Sequence, residues 1–181
     1  MSKVYTSAVV IIPTTDKWEP IQEIRKKYDH QIDRWMPHIN LLYPFKPKSK
    51  FIGISSRFSE ICSQIESFEI SLKDFKYFEH RHQNFTIWLN PEPNDLIINL
   101  QLELLKTVPD CNDINKFKGG FHPHLSVGQI SGIKKLKDTL FSLRKSWKEL
   151  KFPLEVIYFI SRENTKTSSF SIEKKFELKK K

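Results

Sequence analysis

Two histidines of this chain are each followed, two residues later, by a small polar residue. His38 precedes Asn40 and His124 precedes Ser126, with an apolar residue between the two members of each pair. Because residues i and i+2 of a β-strand share a face, each imidazole is expected to lie beside a hydrogen-bond donor. Imidazole titrates near neutral pH and can both take and give a proton. Two such pairs, brought together, suit metal-free acid–base chemistry on a phosphate ester.

The elements that must position these pairs follow from the spacing of the apolar residues. Period-two alternation and short apolar runs predict strands, whereas apolar residues three and four apart predict amphipathic helices. The predicted strands cover 8–12, 39–45, 68–77, 85–89, the segment after His124, 152–161 and 168–178, and the predicted helices cover 18–28, 51–65, 96–108 and 133–147.

The resulting order is β-α-β-α-β followed by β-α-β-α-β-β, so the second half repeats the pattern of the first. In each half a strand–helix unit precedes the histidine strand and an amphipathic helix follows it. We therefore predict an α+β fold in one bilobal domain over residues 1–181, with duplicated lobes related by a pseudo-twofold axis. Antiparallel-rich sheets would line a central cleft where His38 and His124 meet, with the helices outside and a basic tail at about 174–181.

The net charge and the cysteine content indicate which partners the protein binds and in which cellular compartment it is found. The net charge of +9 and the pI of about 9.5 favour a polyanion such as RNA or a nucleotide, although solubility alone is the competing explanation. Two cysteines make no disulfide framework, and the longest apolar run, Ala8 to Ile12, is too short to span a bilayer. The N-terminus lacks the apolar core of a signal peptide. We expect a cytoplasmic protein, with the nucleus as the alternative, that has no membrane partner and is a monomer by default.

The contexts of the two histidines resemble the paired motifs of the two-histidine (2H) phosphoesterase superfamily. The segments are WMPHINLLYPF at 35–45 and FHPHLSVGQ at 121–129. That superfamily includes the 2′-5′ RNA ligases and cyclic nucleotide phosphodiesterases, and its signature is His-x-Thr/Ser-x, present twice. Asn40 departs from the signature, because an amide can donate a hydrogen bond to a phosphate oxygen but cannot relay a proton as a hydroxyl can.

The resemblance implies a metal-independent phosphodiesterase without a cofactor. Its substrates would be 2′,3′-cyclic phosphates or 2′-5′ linkages on RNA ends or nucleotides. By family analogy His124 is the base and His38 the acid, while Asn40 and Ser126 hold the non-bridging phosphate oxygens. A bell-shaped pH–rate profile is expected from two titrating histidines.

Several further residues are candidates for substrate binding. Tyr43, Phe45 and Phe121 flank the motifs and could stack on a base, although each also suits a core position. Tyr158 and Arg162, on the penultimate strand, could line the cleft, with Arg162 contacting phosphate. Lys118 with the following glycine pair, Gly119 and Gly120, could form a flexible basic lip.

Two alternatives and one competing type of site stay open from the sequence. A 2′-5′ RNA ligase of the same fold would need no nucleotide cofactor, since ligation reverses the opening of the cyclic phosphate. A non-catalytic nucleotide- or RNA-binding module is the second alternative, and Asn40 is the residue that favours it. A metal site is suggested by two histidine pairs, His80 with His82 and His122 with His124. Neither pair has a carboxylate at ligand spacing, so we predict no metal.

Overall fold

The computed structural model describes residues 2–116 and 119–180, and its strands and helices follow the predicted order except that the strand predicted over 152–161 is two strands. The strands are β1 Ser7–Ile11, β2 Ile39–Leu42, β3 Phe68–His80, β4 Asn84–Glu92, β5 Leu125–Ser131, β6 Leu150–Leu154, β7 Val156–Ser161 and β8 Ser171–Glu177. The α-helices are α1 Trp18–Tyr28, α2 Phe51–Cys62, α3 Asn94–Thr107 and α4 Ile133–Ser146. Among the described residues, no helix combines the length and the apolar character needed to cross a bilayer.

The strands form two four-stranded antiparallel sheets. Their orders are β2-β1-β7-β8 and β5-β4-β3-β6. In each sheet the histidine strand, β2 or β5, is an edge strand paired with the strand that precedes it across one helix. The units β1-α1-β2 and β4-α3-β5 are therefore equivalent, which confirms the α+β class and the predicted repeat.

The sheets do not coincide with the two halves of the sequence. Strands β7 and β8 complete the first sheet, and β3 joins the second. The single strand predicted over 152–161 is split at Glu155, because β6 pairs with β3 whereas β7 pairs with β1. Buried positions are even-numbered in β6 and include odd-numbered Ile157 and Phe159 in β7. This change of phase in the alternation was the sequence signal for the break.

One hydrophobic core runs through both sheets, and a smaller apolar cluster lies apart from it. The smaller cluster contains Ala8, Val10, Ile160 and Phe170, with Trp35, Tyr43 and Tyr158 packed against it. Val10 is paired with Asn40 on one side and Tyr158 on the other. Opposite residues in a sheet share a face, so this cluster lies on the same face of the first sheet as Asn40.

The predicted basic tail is largely part of the sheet. Lys174 and Lys175 lie within β8, and Leu178 is buried. The backbone of Lys179 exchanges hydrogen bonds with Ile65 and Ser67. These backbone bonds hold the chain in place as far as Lys179.

The end of α1 packs directly on the backbone of β5, which joins the first repeat to the second. A Cβ atom placed on Gly128 would lie 2.3 Å from the Tyr28 Cβ and 2.9 Å from the Tyr28 carbonyl group. No side chain fits at this position without moving either the helix or the strand.

We expect Gly128→Ala to lower the free energy of unfolding by about 1–3 kcal/mol, since the added methyl group overpacks this contact. Urea unfolding measures the change. Gly53→Ala on α2 is the matched control, because nothing lies within 4 Å of its added Cβ. There alanine should be neutral or stabilise the helix by up to about 1 kcal/mol. Equal stability of the two variants would contradict the close approach of α1 to β5.

Candidate active site

The two histidines occupy equivalent places in the two sheets. His38 is the residue immediately before β2, and His124 the residue immediately before β5. Asn40 and Ser126 are the second residues of those strands. Strands β2 and β5 are neighbouring edges of the two sheets, so the fold brings both motifs to one border.

Each imidazole is anchored by the same hydrogen bond. The His38 Nδ1 atom lies 2.7 Å from the carbonyl oxygen of Met36, and the His124 Nδ1 atom lies 2.7 Å from that of His122. A carbonyl can only accept, so Nδ1 carries the hydrogen in both rings. This assignment leaves Nε2 of each ring as the nitrogen that can exchange a proton.

Asn40 is in direct contact with His38. Its amide Nδ2 lies 3.2 Å from the His38 Nε2 and donates to it when the ring is neutral. The Asn40 Oδ1 atom is buried and has no partner within the described residues. A half-satisfied buried amide is poised to accept one further hydrogen bond, or to turn and offer its oxygen to a protonated His38.

Aromatic rings pack against both imidazoles. His38 stacks on Trp35 with ring centroids 4.5 Å apart, and Trp35 stacks in turn on Phe170 at 3.8 Å. His124 stands edge-on to Phe78 at 5.0 Å and lies 5.8 Å from the Trp88 ring. Such contacts restrict ring rotation and reduce the access of water to both rings.

A cavity of about 300 Å³ opens between the two strands. Of the predicted site residues, His38, Asn40, Ser126, Tyr43 and Arg162 line it. His124 does not contribute to this lining, but it precedes Ser126 by two residues on the same strand face. The remaining lining residues are Arg25, Asp29, Gln31, Arg34, Trp35, Gln129 and Phe170.

Burial lowers the pKa of both histidines. For His38 the pKa falls from 6.5 to about 4, mainly through burial, and the positive charges of Arg25 and His124 lower it further. The Met36 carbonyl and the Asp29 carboxylate oppose this fall. For His124 burial again lowers the pKa, against the effect of the His122 carbonyl. The influence of His124 on His38 indicates that the two rings disfavour being charged together.

A buried ion pair joins the segment before His38 to the strand after His124. Arg25 donates through Nε to Asp29 at 2.7 Å and through Nη2 to the carbonyl of Trp35 at 2.8 Å. Asp29 accepts from the backbone of Gln31 at 2.9 Å and from the Gln129 side chain at 3.3 Å. Gln129 lies on β5, so this pair bridges the two histidine-bearing strands.

Arg162 lies just after β7 rather than on the strand, and its guanidinium faces the cavity. It contacts the Phe170 ring at 5.6 Å, and its Nη1 donates to the carbonyls of Glu163 at 2.9 Å and Thr165 at 3.1 Å. Its Nε is buried and has no partner among the described residues. The guanidinium is thus held in place with donor capacity left over.

Tyr43 and Tyr158 both belong to the small apolar cluster, but only Tyr43 lines the cavity. The hydroxyl of Tyr43 donates to the carbonyl of Tyr5 at 3.3 Å. Burial raises the pKa of both tyrosines, while Arg162 pulls the pKa of Tyr43 back down. Tyr158 is half-buried on the cleft face of the first sheet.

Two of the predicted substrate contacts, Phe45 and Phe121, lie in the core and not at the cavity. Phe45 is fully buried against Phe51, Phe58 and Phe159, and Phe121 is also buried in the main core. Neither ring lines the cavity. Lys118, predicted for a basic lip, lies outside the described residues, whereas Gly119 and Gly120 adopt positive φ angles of 90° and 78°.

Sequence reasoning missed the charged residues that surround the cavity. A signal for Arg25 was present, since it falls on the buried stripe of α1 with Ile21, Ile24 and Tyr28 at positions i, i+3 and i+7 around it. Gln129 is the last residue of the second histidine motif. Phe170 comes from the distant C-terminal part and carried no local signal.

Comparison with known proteins agrees with this arrangement. The chain matches the 2′-5′ RNA ligase superfamily over residues 13–166. It is 23% identical over 137 residues, 75% of this chain and 78% of the relative, to a Bacillus licheniformis protein whose name marks it as a proposed phosphoesterase. Its fold is similar to that of TT0787 of Thermus thermophilus (14% identity, TM-score 0.67, 97% and 99% of the two chains).

The fold is also similar to that of E. coli LigT crystallised with 3′-AMP, at 14% identity and a TM-score of 0.61, over 98% of this chain and 99% of LigT. The family match covers most of the chain and includes both histidine motifs. Repeated motifs, duplicated topology and this match lead to one conclusion: the chain belongs to the 2′-5′ RNA ligase superfamily, the group of 2H phosphoesterases.

Proposed function

We propose that the protein is a metal-independent phosphodiesterase acting on 2′,3′-cyclic phosphates or 2′-5′ bonds of RNA ends or nucleotides. The observation that carries the proposal is the pair of imidazoles anchored alike through Nδ1, each with Nε2 left for proton exchange. Beside them lies a cavity lined by an amide, a hydroxyl and a guanidinium, three donors suited to phosphate oxygens.

In the proposed reaction one neutral imidazole takes a proton from water as the water oxygen attacks phosphorus. The protonated imidazole gives its proton to the leaving ribose oxygen as the P–O bond breaks. One proton is taken and one is given, so hydrolysis leaves the charge of the two-histidine pair unchanged. Asn40, Ser126 and Arg162 would stabilise the negative charge that develops on the non-bridging oxygens.

For the roles of the two rings we propose the reverse of the family analogy. The low pKa of His38, about 4, keeps this ring neutral near pH 7, which suits a base. His124 then takes the role of the acid, and because burial lowers its pKa as well, it is protonated mainly at acid pH. The Asn40 amide, which donates to Nε2, favours the neutral form of His38 but must turn away before that nitrogen can take a proton.

The pH dependence of the rate follows from these pKa values. The active form needs neutral His38, which is present above pH of about 4, and protonated His124, which is lost as pH rises through a pKa below 6.5. We expect a bell-shaped profile of kcat/KM with its maximum on the acid side of 6.5. Initial rates between pH 3.5 and about 8 test this. A rate that is flat between pH 5 and about 8 would contradict two titrating histidines.

Nucleotide-related ligands of relatives support this class of substrate. E. coli LigT has been crystallised with 3′-AMP and, separately, with phosphate. We propose by analogy that a nucleotide or an RNA end, with its phosphate between the two histidines, occupies the cavity of this chain. As before, we expect the protein to act as a monomer.

The direct test is incubation of the protein with a 2′,3′-cyclic nucleotide in the presence of EDTA, with the product followed by phosphorus NMR. We expect the cyclic phosphate signal to be replaced by that of a 2′-phosphomonoester. Loss of turnover in EDTA would contradict metal-free chemistry. Joining of a 5′-hydroxyl RNA end to a cyclic phosphate, in preference to its hydrolysis, would identify the ligase alternative.

One contact favours a second candidate, a non-catalytic nucleotide-binding module. The Asn40 amide occupies the lone pair of His38 Nε2, the atom that a base needs free. Asn40→Thr restores the hydroxyl of the family signature. If the wild type binds a cyclic nucleotide without turnover and Asn40→Thr gains turnover, the binding module is the correct assignment.

A further inference from the structure

Helix α4 presents a basic and aromatic face on the side of the second sheet that is remote from the histidines. Lys137, Phe141 and Lys145 follow one another at positions i, i+4 and i+8, so they lie along one side of the helix. The Phe141 side chain is 71% exposed although it is large and apolar. A contiguous exposed apolar patch rimmed by charge is typical of contact surfaces.

This face forms a groove with the neighbouring strand. The groove, about 570 Å³ in volume, is lined by Tyr77 of β3 and by Lys137, Leu140, Phe141, Arg144 and Lys145 of α4, and we call it the α4 groove. Tyr77 is 45% exposed. Arg144 binds Asp74 at 3.0 Å and donates to the Phe75 carbonyl, which holds the helix against β3.

The charge of α4 selects an anionic occupant. The helix carries five basic residues and one acidic residue, Asp138. In the part of the chain that the structure describes, neither Lys137 nor Lys145 forms an ion pair. The apolar face of the helix, with Leu136 and Leu140, is buried. A helix whose apolar face is already packed is a poor membrane anchor.

An open sheet edge connects the α4 groove with the histidines. Strand β6 pairs with β3 only over residues 68–72, so within residues 2–116 and 119–180 no strand pairs with 76–80 on that edge. Because side chains alternate along a strand, Lys76 and Phe78 face the cleft and Tyr77 faces the groove. Phe78 contacts His124, and the Lys76 Nζ lies 5.9 Å above the Trp88 ring. A flexible polyanion that starts at His124 can therefore cross this edge to the α4 groove and contact basic or aromatic side chains along the whole path.

We propose that the α4 groove binds a single-stranded segment of the RNA whose reactive end lies at the histidines. Bases would stack on Tyr77 and Phe141, and phosphates would contact Lys137 and Lys145. The inference rests on the proposed function and extends it, because it makes the preferred substrate an oligonucleotide rather than a mononucleotide.

The test compares binding of RNA with turnover of a small substrate. Fluorescence anisotropy measures the affinity for a labelled single-stranded RNA of about ten nucleotides ending in a 2′-phosphate. We expect Phe141→Ser, and separately Lys137→Glu/Lys145→Glu, to weaken binding about tenfold or more. The slope of log affinity against log salt should fall by about 0.7 for each phosphate that is no longer neutralised by a lysine. Turnover of a 2′,3′-cyclic mononucleotide should stay at the wild-type rate in both variants.

The matched control is Lys50→Glu/Arg57→Glu, which changes the net charge equally at exposed positions immediately before and within α2. An equal loss of RNA affinity in this control would overturn the proposal in favour of bulk charge. Wild-type RNA affinity in the α4 variants would also overturn the proposal. If these variants keep their RNA affinity but lose binding to phosphatidylserine vesicles, the groove binds a membrane surface and the proposal is again overturned. If the wild type does not turn over the mononucleotide but RNA binding still needs Phe141 and the two lysines, the groove stands and the proposed function fails.

Discussion

His38→Ala and His124→Ala are each expected to lower kcat for hydrolysis of a 2′,3′-cyclic nucleotide by about 10²–10⁴-fold. Each substitution removes one partner of a proton exchange that needs both, and leaves the rest of the cavity in place. Binding of the substrate should change far less than kcat, because Asn40, Ser126 and Arg162 keep their donors. Single-turnover measurements with each variant separate the two effects.

The double variant and a third histidine provide the controls. The loss in His38→Ala/His124→Ala should be smaller than the product of the single losses, since both residues serve one reaction. His30→Ala should retain wild-type kcat, because His30 is exposed and contributes only its backbone amide, to Gln129. Either single variant retaining more than about a tenth of the wild-type rate would contradict the two-histidine mechanism.

The second large effect is expected from Arg25→Met. The side chain of Arg25 is 2% exposed and that of its partner Asp29 is 4% exposed. Removing the guanidinium leaves a buried carboxylate uncompensated and also frees the Trp35 carbonyl. We expect the free energy of unfolding to fall by about 3–5 kcal/mol, measured by urea denaturation.

The same helix offers a control pair. Lys26 and Glu23 form an exposed ion pair at 2.7 Å, so Lys26→Met should cost less than about 1 kcal/mol. Asp29→Asn added to Arg25→Met should recover part of the loss, because the buried charge is then gone. A cost below about 1 kcal/mol for Arg25→Met would show that this pair does not hold the two strands together.

The histidine strands and the repeat could be predicted because both depend on local pattern. Alternation around His38 and His124 places each polar partner on the same face, and the order of strands and helices repeats visibly. The break at Glu155 was marked by a change in alternation, but the sheet that each of the two strands joins could not be predicted, since it is decided by contacts far along the chain.

Which aromatic side chains face the cavity was beyond local reasoning. Tyr43 and Phe45 have the same parity, yet only Tyr43 lines the cavity. The pairing of β1 with β2 shifts register between Val9 and Val10, and β2 ends at Leu42. Beyond the strand, Phe45 forms a bridge with Val4 and turns into the core. A bulge, and the end of a strand, change which side chains face the cavity, and neither is indicated by a local sequence pattern here.

The ion pair at Arg25 illustrates a different limit. Its place on the buried stripe of α1 was readable, but its partners were not. Asp29 lies one turn further along the chain, whereas Gln129 is on β5 and is reached only once the two repeats are docked. Long-range hydrogen bonds of this kind follow from the fold and do not precede it.

Both rings are anchored through a carbonyl two residues upstream, and this shared anchor bears on how the two rings divide the roles of acid and base. The scaffold supplies the same device twice, so it gives neither imidazole a fixed identity as donor or acceptor. Only the unequal surroundings, Trp35 and Asn40 on one side and Phe78 and Ser126 on the other, break the symmetry. Modest changes in those neighbours are therefore expected to decide which ring is neutral and which is protonated, while the backbone of the site stays unaltered.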